Sequence, residues 1–351
     1  MTHEFKEIIT AYTEAKQQGI PAVMATVVDV EGSSYRRPGV GMLILKNGYM
    51  VGAVSGGCVE KEVLRQSQYV FDTGKPKIMT YDGKYRLGCE GVLYILLETF
   101  TVSDIAIEMI RKQFKSRKSF GIKSFYSKED QLNNHMGSVL SFDNISEISF
   151  SDKNQPDIAL DCFQRNMKAC FQLIIIGTEH DAMQLCKLAS ATGWEVTVVC
   201  SAKDPKTLES FPGAQTILNT TPEDLSIQNI DDQTAIVLMS HNFAKDSLYL
   251  QAIKDEQPAY IGLLGPAKRR EKLLNAFIEY DPDVSEEFLE SIHGPAGLNL
   301  GAETPQEIAI SIIAEILSVI RNQKPIPLQD KKGAIHDDPK RKSIDAYITK
   351  S

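Results

Sequence analysis

The sequence predicts an α/β protein of two domains. An N-terminal mixed-sheet α/β domain spans residues 1–166, a C-terminal doubly wound parallel-sheet domain spans 167–328, and a polar tail follows at 329–351. Three observations carry this. The chain has 351 residues, more than one hydrophobic core usually serves. From residue 168 short apolar runs alternate with helical ones, as in a parallel sheet covered on both faces. Between the halves, 127–167 is polar, rich in Asn, Ser and Asp, and broken by Pro156.

The first half opens with an amphipathic helix in which Phe5, Ile8, Ile9 and Tyr12 share a face and Gly19 closes the C-terminus. Strand-like runs follow at "AVMATVVDV", "GMLILKNG" and "YMVGAV", with Asn47-Gly48 as a hairpin turn. A helix ending at Gly74 and the strands "KIMTYD" and "GVLYILLETF" complete the sheet. A helix near 102–118 and strands "FGIKSFYS" and "GSVLSF" come next. In the second half, strands begin at Phe171, Trp194, Ala235 and Ala259, with helices between or after them. A last long helix has Thr304 as N-cap, Pro305 as its first residue and Glu307 three beyond the cap. No internal repeat is visible.

Composition narrows the function. With 42% hydrophobic and 24% charged residues the chain reads as soluble and globular. Its formal charge of -8 repels a phosphate backbone, and no large basic patch offsets it, so no nucleic-acid partner is expected. The N-terminus lacks the apolar core of a secretory signal, and no apolar run approaches the roughly 20 residues of a membrane span. Six cysteines without a CxxC pair suit reduced thiols. A cytoplasmic protein without a membrane partner is expected.

The strand ending at Gly177 runs into a helix, where a dinucleotide rests its pyrophosphate. The loop reads "GTEHDA": Gly177 keeps the first glycine of the usual fingerprint, but Glu179 stands at the second. The next strand ends at Cys200 where a ribose-binding acid is normal. NAD(P) is therefore not expected. His241 follows a later strand at the carboxyl edge, with Asp246 in the next helix; alternatively Ser240 and Asn242 cap that helix and His241 packs. Gly265, before Lys268, Arg269 and Arg270, suits an anion or only a solvated face. His293 opens a loop rich in glycine and proline that suits a ligand, contact with another protomer or plain turn chemistry.

In the first half, Arg36 and Arg37 offer forked donors for phosphate or a pterin edge, beside Gly32 and Gly39. The run "VSGGCVE" sets Ser55, Gly56 and Gly57 before Cys58 at a helix N-terminus, which lowers a thiol's pKa. Cys89 lies in "LGCEG". A soft, thiophilic ligand accounts for both cysteines; cysteine is also often a small buried hydrophobe, the default for Cys162, Cys170, Cys186 and Cys200.

Together, "GSSYRRPGVGML", "SGGCVE", "LGCEG", the degenerate Gly177 turn, "SHNFAKD", "AYIGLLGPAKRR" and "HGPAGLNLGAETPQEIAISIIAEI" resemble the XdhC/CoxI family of xanthine dehydrogenase accessory factors, from about residue 20 to 322. The resemblance implies an N-terminal domain of its own type joined to a Rossmann-like domain. It also implies binding of molybdenum cofactor (molybdopterin), its protection while a terminal sulfur is installed, and delivery to a molybdenum hydroxylase such as xanthine dehydrogenase, with a cysteine desulfurase as a further partner. By position, Cys58 and Cys89 are the implied cofactor contacts and metal ligands, with the arginine loop beside them. The sequence departs from the family pattern at Glu90 for a glycine, Tyr35 for a proline, and Glu179 and His180 in the Rossmann turn.

The favoured reading is a carrier that hands over its cargo without turnover, with a homodimer as candidate assembly. An NAD(P)-dependent oxidoreductase and a scaffold that never touches cofactor remain as alternatives.

Overall fold

A computed structural model of the chain describes residues 2–32, 37–57, 59–83, 91–143, 147–152, 155–225, 227 and 229–332. It falls into two compact units, Met1–Lys168 with the segment from Ile326, and Ala169–Pro325.

The first unit begins with α1 (Thr2–Gln17), whose buried face is Phe5, Ile8, Ile9, Tyr12 and Ala15. Strands β1 (Ala22–Glu31), β2 (Gly41–Leu45) and β3 (Met50–Gly52) precede α2 (Glu60–Thr73), and β4 (Lys77–Asp82) and β5 (Val92–Thr99) follow it. They form one sheet in the order β3-β2-β1-β5-β4. The α/β class holds, but this sheet is antiparallel at every pairing, where the sequence suggests a mixed sheet. The reason lies in the connections. The helical crossover α2 carries the chain from edge strand β3 to the opposite edge strand β4, so two parallel strands never become neighbours.

One face of this sheet packs Val23, Ala25, Ile44 and Ile95 against Val63 and Val70 of α2. The other packs Met24 and Leu43 with α1, with Ile107 and Ile110 of α3 (Asp104–Ser116), and with Phe100, Phe120 and Phe150. A second antiparallel sheet follows, with strands β6 (Phe120–Tyr126), β7 (Gly137–Ser141), β8 (Ile148–Ser149) and β9 (Asp161–Met167) in the order β8-β7-β6-β9. Strand β9 lies within the stretch read as a polar boundary, because as an edge strand it leaves charged and polar residues in water.

The two sheets are pinned by a buried acid. Glu98 of β5 is 2% exposed and accepts hydrogen bonds from the Ser138 amide (2.8 Å) and the Ser138 hydroxyl (2.6 Å) of β7. The Ser138 hydroxyl also lies 2.8 Å from that of Ser124. Burial pushes the Glu98 carboxyl up to about 7 against the pull of these hydrogen bonds.

The second unit runs β10 (Gln172–Ile176), α4 (His180–Ala191), β11 (Glu195–Ser201), β12 (Thr216–Thr220), β13 (Thr234–Leu238), α5 (Phe243–Ala252), β14 (Tyr260–Leu263), α6 (Ala267–Tyr280), α7 (Glu286–Glu290), β15 (Ile292–His293) and α8 (Pro305–Ile320). All pairs are parallel, in the order β12-β11-β10-β13-β14-β15. Leu173 and Ile175 face Leu185 of α4 and Ile312 and Ile316 of α8; Ile174 and Ile176 share the opposite core with Leu250, Leu273 and Phe277. Both faces are covered, as the continuous apolar runs require. Helix α8 starts on the expected capping box: the Thr304 hydroxyl accepts from the Glu307 amide, and the Glu307 carboxylate accepts from the Thr304 amide. No helix among the described residues is long and apolar enough to cross a membrane.

Candidate functional site

The first unit gathers its sequence motifs at one end of the five-stranded sheet. Register fixes this: Glu31, the last residue of β1, pairs with Val92, the first of β5, and Val92 also pairs with Asp82, the last of β4. Gly41 starts β2 beside Thr26, and Gly52 ends β3 beside Met42. The connections leaving this end are 32–40, 53–59 and 83–91, which carry the arginine, glycine and second cysteine motifs. Three segments distant in sequence thus leave a single sheet edge.

Arg36, Cys58 and Cys89 lie outside the described residues, as do 33–35 and the rest of 84–90. Their flanks are well defined. Helix α2 begins at Glu60 with Val59 as N-cap, and the expected place of Cys58 at its start falls outside the described residues. Ser55 takes the capping role: its hydroxyl accepts from the Gly57 and Val59 amides, both at 3.2 Å, and donates to Glu60 Oε2 at 2.7 Å. The Ser55 amide donates to Glu60 Oε1 at 2.8 Å. Burial would raise the Glu60 pKa, but the hydrogen bonds from Ser55 and neighbouring amides together hold it below the usual carboxylate range. The turn is locked in place by its own side chains.

Its two glycines face no other described residue. Gly57 has φ +113°, a backbone that side chains rarely adopt. Gly56 has no such constraint, and a Cβ placed on either residue would meet nothing within 4 Å among the described residues. Packing inside the described fold therefore does not demand glycine at 56. Arg37 is exposed. In the same connection, the Gly39 carbonyl accepts from Nη1 of Arg165 on β9. Gly39, at φ +96°, is itself crowded by Phe163 and Arg165. The Arg165 Nε is buried without a partner among the described residues, and burial lowers this guanidinium to about 10.

The second unit has its own edge. The order in which strands are laid down reverses between β10 and β13, the position outside whose carboxyl ends open α/β sheets bind ligands. Gly177 and His241 meet there: a Cβ on Gly177 would lie 2.4 Å from the Met239 carbonyl oxygen, and His241 Nε2 lies 3.6 Å from Asp181 Oδ2 at the start of α4. The glycine at 177 is thus required by backbone crowding and by its φ of +146°. The His241 side chain is 48% exposed on a left-handed residue (φ 54°), so it does not pack. Asn242 caps α5 by accepting from the Lys245 amide. Ser240 donates to buried Asp246, whose other oxygen receives Arg269 Nη2 at 2.7 Å.

Arg269 and Arg270 are therefore engaged within the fold, the latter through its Nε on the Ile292 carbonyl at 3.1 Å. Gly265 has φ +122°, a backbone that favours glycine, and Arg269 Cδ lies 2.6 Å from a would-be Cβ. His293 lies on the far edge strand. It stacks on Tyr260 at 4.6 Å, with Nδ1 3.3 Å from Glu315 Oε1. Glu315 also accepts from the Tyr260 hydroxyl (2.5 Å) and the Gly297 amide (2.7 Å), and thereby ties the glycine-rich loop to α8. Glu315→Ala would strand the buried Tyr260 hydroxyl and the Gly297 amide. A loss of about 2–4 kcal/mol in urea unfolding is expected, with Glu315→Gln recovering most of it.

Cys170, Cys186 and Cys200 are buried, and burial raises the last two thiols to about 11. Cys162 is exposed on edge strand β9, contrary to its default as a core residue. Among the described residues no three His, Cys, Asp or Glu side chains are grouped to hold a metal. Sequence reading passed over Arg165 and Glu315. Each is a lone charge in an unremarkable run, and only the fold reveals its partner.

A parallel sheet in this order, wound on both faces, makes the second unit a Rossmann-type domain. A family model described as the XdhC Rossmann domain matches residues 173–316, and one described as the XdhC and CoxI family matches residues 15–82. Together they take in more than half of the sequence, and the chain belongs to the XdhC and CoxI family. It is 29% identical over 330 residues to a probable xanthine dehydrogenase subunit of Bacillus subtilis, across 89% of this chain and 96% of that protein. It is 24% identical over 329 residues to the molybdenum cofactor insertion chaperone PaoD of Escherichia coli, across 92% of this chain and 91% of that protein. A crystal structure of a xanthine dehydrogenase, so named, from Bacillus halodurans is similar with a TM-score of 0.73 at 26% identity, covering 91% of this chain and 98% of the other.

Proposed function

We propose that this protein is an accessory factor that binds molybdenum cofactor at the loop end of its first unit, protects it during sulfuration and delivers it to a xanthine dehydrogenase-type molybdenum enzyme. The observation that carries the reading is the bare Gly56–Gly57 turn, fixed by Ser55 and Glu60, on the same sheet edge as the arginine loop and the 83–91 connection. The name of the Escherichia coli relative supports the choice of cargo. Cofactor is here the cargo, and the residues fit one. A glycine turn admits a bulky pterin against the backbone, Arg37 offers forked donors to its phosphate, and the orphaned Arg165 Nε marks a guanidinium held for the loop above it.

Cys58 and Cys89 are the proposed sulfur ligands to molybdenum, a soft pairing. Ser55 and Glu60 orient the turn and take no part in chemistry. Cysteine desulfurase is the proposed sulfur source, and a homodimer the proposed assembly. The Rossmann-type unit is assigned no nicotinamide cofactor in this reading.

The test is retention of cargo. Purified protein mixed anaerobically with molybdenum cofactor should carry pterin fluorescence and molybdenum together through gel filtration. Cys58→Ala and Cys89→Ala should each weaken retention by at least the roughly 10–100-fold that loss of a ligand's supporting hydrogen-bond partner costs. Gly56→Val, unopposed within the described fold, should lose cargo with an unchanged melting temperature. Full retention by all three variants would refute the assignment.

A further inference from the structure

We infer that Lys128 and Arg165, both carried by the second sheet of the first unit, are positioning residues for the arginine loop. Lys128 holds the entry of the loop and Arg165 its exit, so that Arg37 is presented to the phosphate of the cargo. The inference rests on the cargo site proposed above and adds to it two residues that act through Arg37. The entry is built by a bulge. The pairing of β1 with β5 shifts by one residue at Val28: Val27 lies opposite Ile95 and Asp29 opposite Tyr94. Simple alternation would put Val27, Asp29 and Glu31 on one face. Instead Val27 and Val30 both join the core that contains Val63 and Val70 of α2, whereas Val28 packs with Tyr126 of β6. The bulge thus re-aims Asp29 and Glu31. Lys128, two residues past β6, meets both carboxylates, at 2.7 Å from Asp29 Oδ2 and 2.7 Å from Glu31 Oε1. Its ammonium also stands 4.4 Å from the centre of the Tyr94 ring.

The exit is held by β9, the neighbour of β6 in the same sheet. Arg165 Nη1 donates to the Gly39 carbonyl, and a Cβ on Gly39 would meet Phe163 at 3.1 Å and Arg165 Cδ at 3.2 Å. The Gly39 amide donates to the Val27 carbonyl at 2.7 Å, and the Val27 amide to the Val40 carbonyl at 2.9 Å. The exit therefore closes on Val27, beside the bulge that aims the entry. Arg37 lies two residues before this closure and is exposed. Partly exposed ion pairs such as those of Lys128 add little to the stability of a whole fold. What they fix here is the direction in which the chain leaves the sheet at Glu31, one residue before the loop begins.

Lys128→Met gives the decisive test, because the loss of its ion pairs should leave the melting temperature unchanged. Affinity of the full chain for molybdenum cofactor, titrated anaerobically by pterin fluorescence, should fall by roughly 100-fold in Arg37→Ala and by roughly 10-fold in Lys128→Met. In the Arg37→Ala background, Lys128→Met should cost less than about twofold, since Lys128 acts through that arginine. Lys128→Arg, which keeps a cation for both carboxylates, should recover most of the loss. Arg165→Met should follow the pattern of Lys128→Met. Hydrogen exchange reads the two anchors without cargo: the Val27 and Gly39 amides should exchange roughly 10-fold faster in either methionine variant than in wild type. Exchange unchanged at both amides in both variants would overturn the proposal whatever the cargo does. Additive losses from Lys128→Met and Arg37→Ala would overturn positioning through Arg37. Full affinity in Arg37→Ala would remove the arginine contact from the cargo reading and the positioning role with it; faster exchange in the methionine variants would then show that the anchors exist and that the cargo reading is what failed.

Discussion

Gly177→Ala is expected to destabilise the Ala169–Pro325 unit by about 3–5 kcal/mol, the largest single effect among conservative substitutions here. The added methyl would stand 2.4 Å from the Met239 carbonyl oxygen and 2.7 Å from the Met239 carbonyl carbon, at a backbone φ of +146°. Neither neighbour is a flexible side-chain tip. Both belong to the chain leaving β13, whose pairing with β10 fixes the separation. Urea unfolding followed by the fluorescence of Trp194, the single tryptophan, reads this unit directly, since Trp194 is buried in its core. A change under 1 kcal/mol would show that the turn relaxes freely. By contrast, Gly56→Ala meets open space and should leave stability within about 0.5 kcal/mol of wild type. The two glycines thus differ in what packing asks of them.

A pH dependence of stability set by Glu98 is the second large expectation. Its folded pKa is raised to about 7 from the ordinary 4.5. Between those values the folded state keeps a proton that the unfolded chain has released, so stability falls as pH rises through this window. Below 4.5 both states are protonated and the contribution is whole; above about 7 it is lost. The gap corresponds to an upper limit of about 3 kcal/mol. Glu98→Gln should flatten the melting temperature between pH 5 and pH 8 and stabilise the protein at the alkaline end. The replacement amide can donate to the Ser138 hydroxyl, which can pass its own proton to Ser124 at 2.8 Å. Wild type and variant with parallel pH profiles would remove Glu98 as the cause.

Much of this architecture is legible in the sequence because local and global signals agree. The alternation after residue 168, the Thr304–Glu307 box and the Asn47-Gly48 hairpin each name an element that the fold contains. What escapes is polar or short. Strands β9 and β12 lie at sheet edges with mostly exposed or half-exposed residues, and β15 has only two residues, so none shows a period that burial would impose. Antiparallel pairing in the first unit follows from where α2 lands, which local pattern does not encode. At the candidate site the glycine turn is visible as a motif, whereas Arg165 is not. Its meaning comes from Gly39, far away in sequence, and from an Nε without a partner among the described residues.

The Ser55 hydroxyl answers two amides and a carboxylate at once, all from residues 57 to 60. Such a bend is rigidified when the polypeptide folds, and its ordering entropy is spent before any guest arrives. On the proposed reading, cargo at Gly56 would meet a turn whose flanks Ser55 and Glu60 already hold, so that less ordering would be needed on binding.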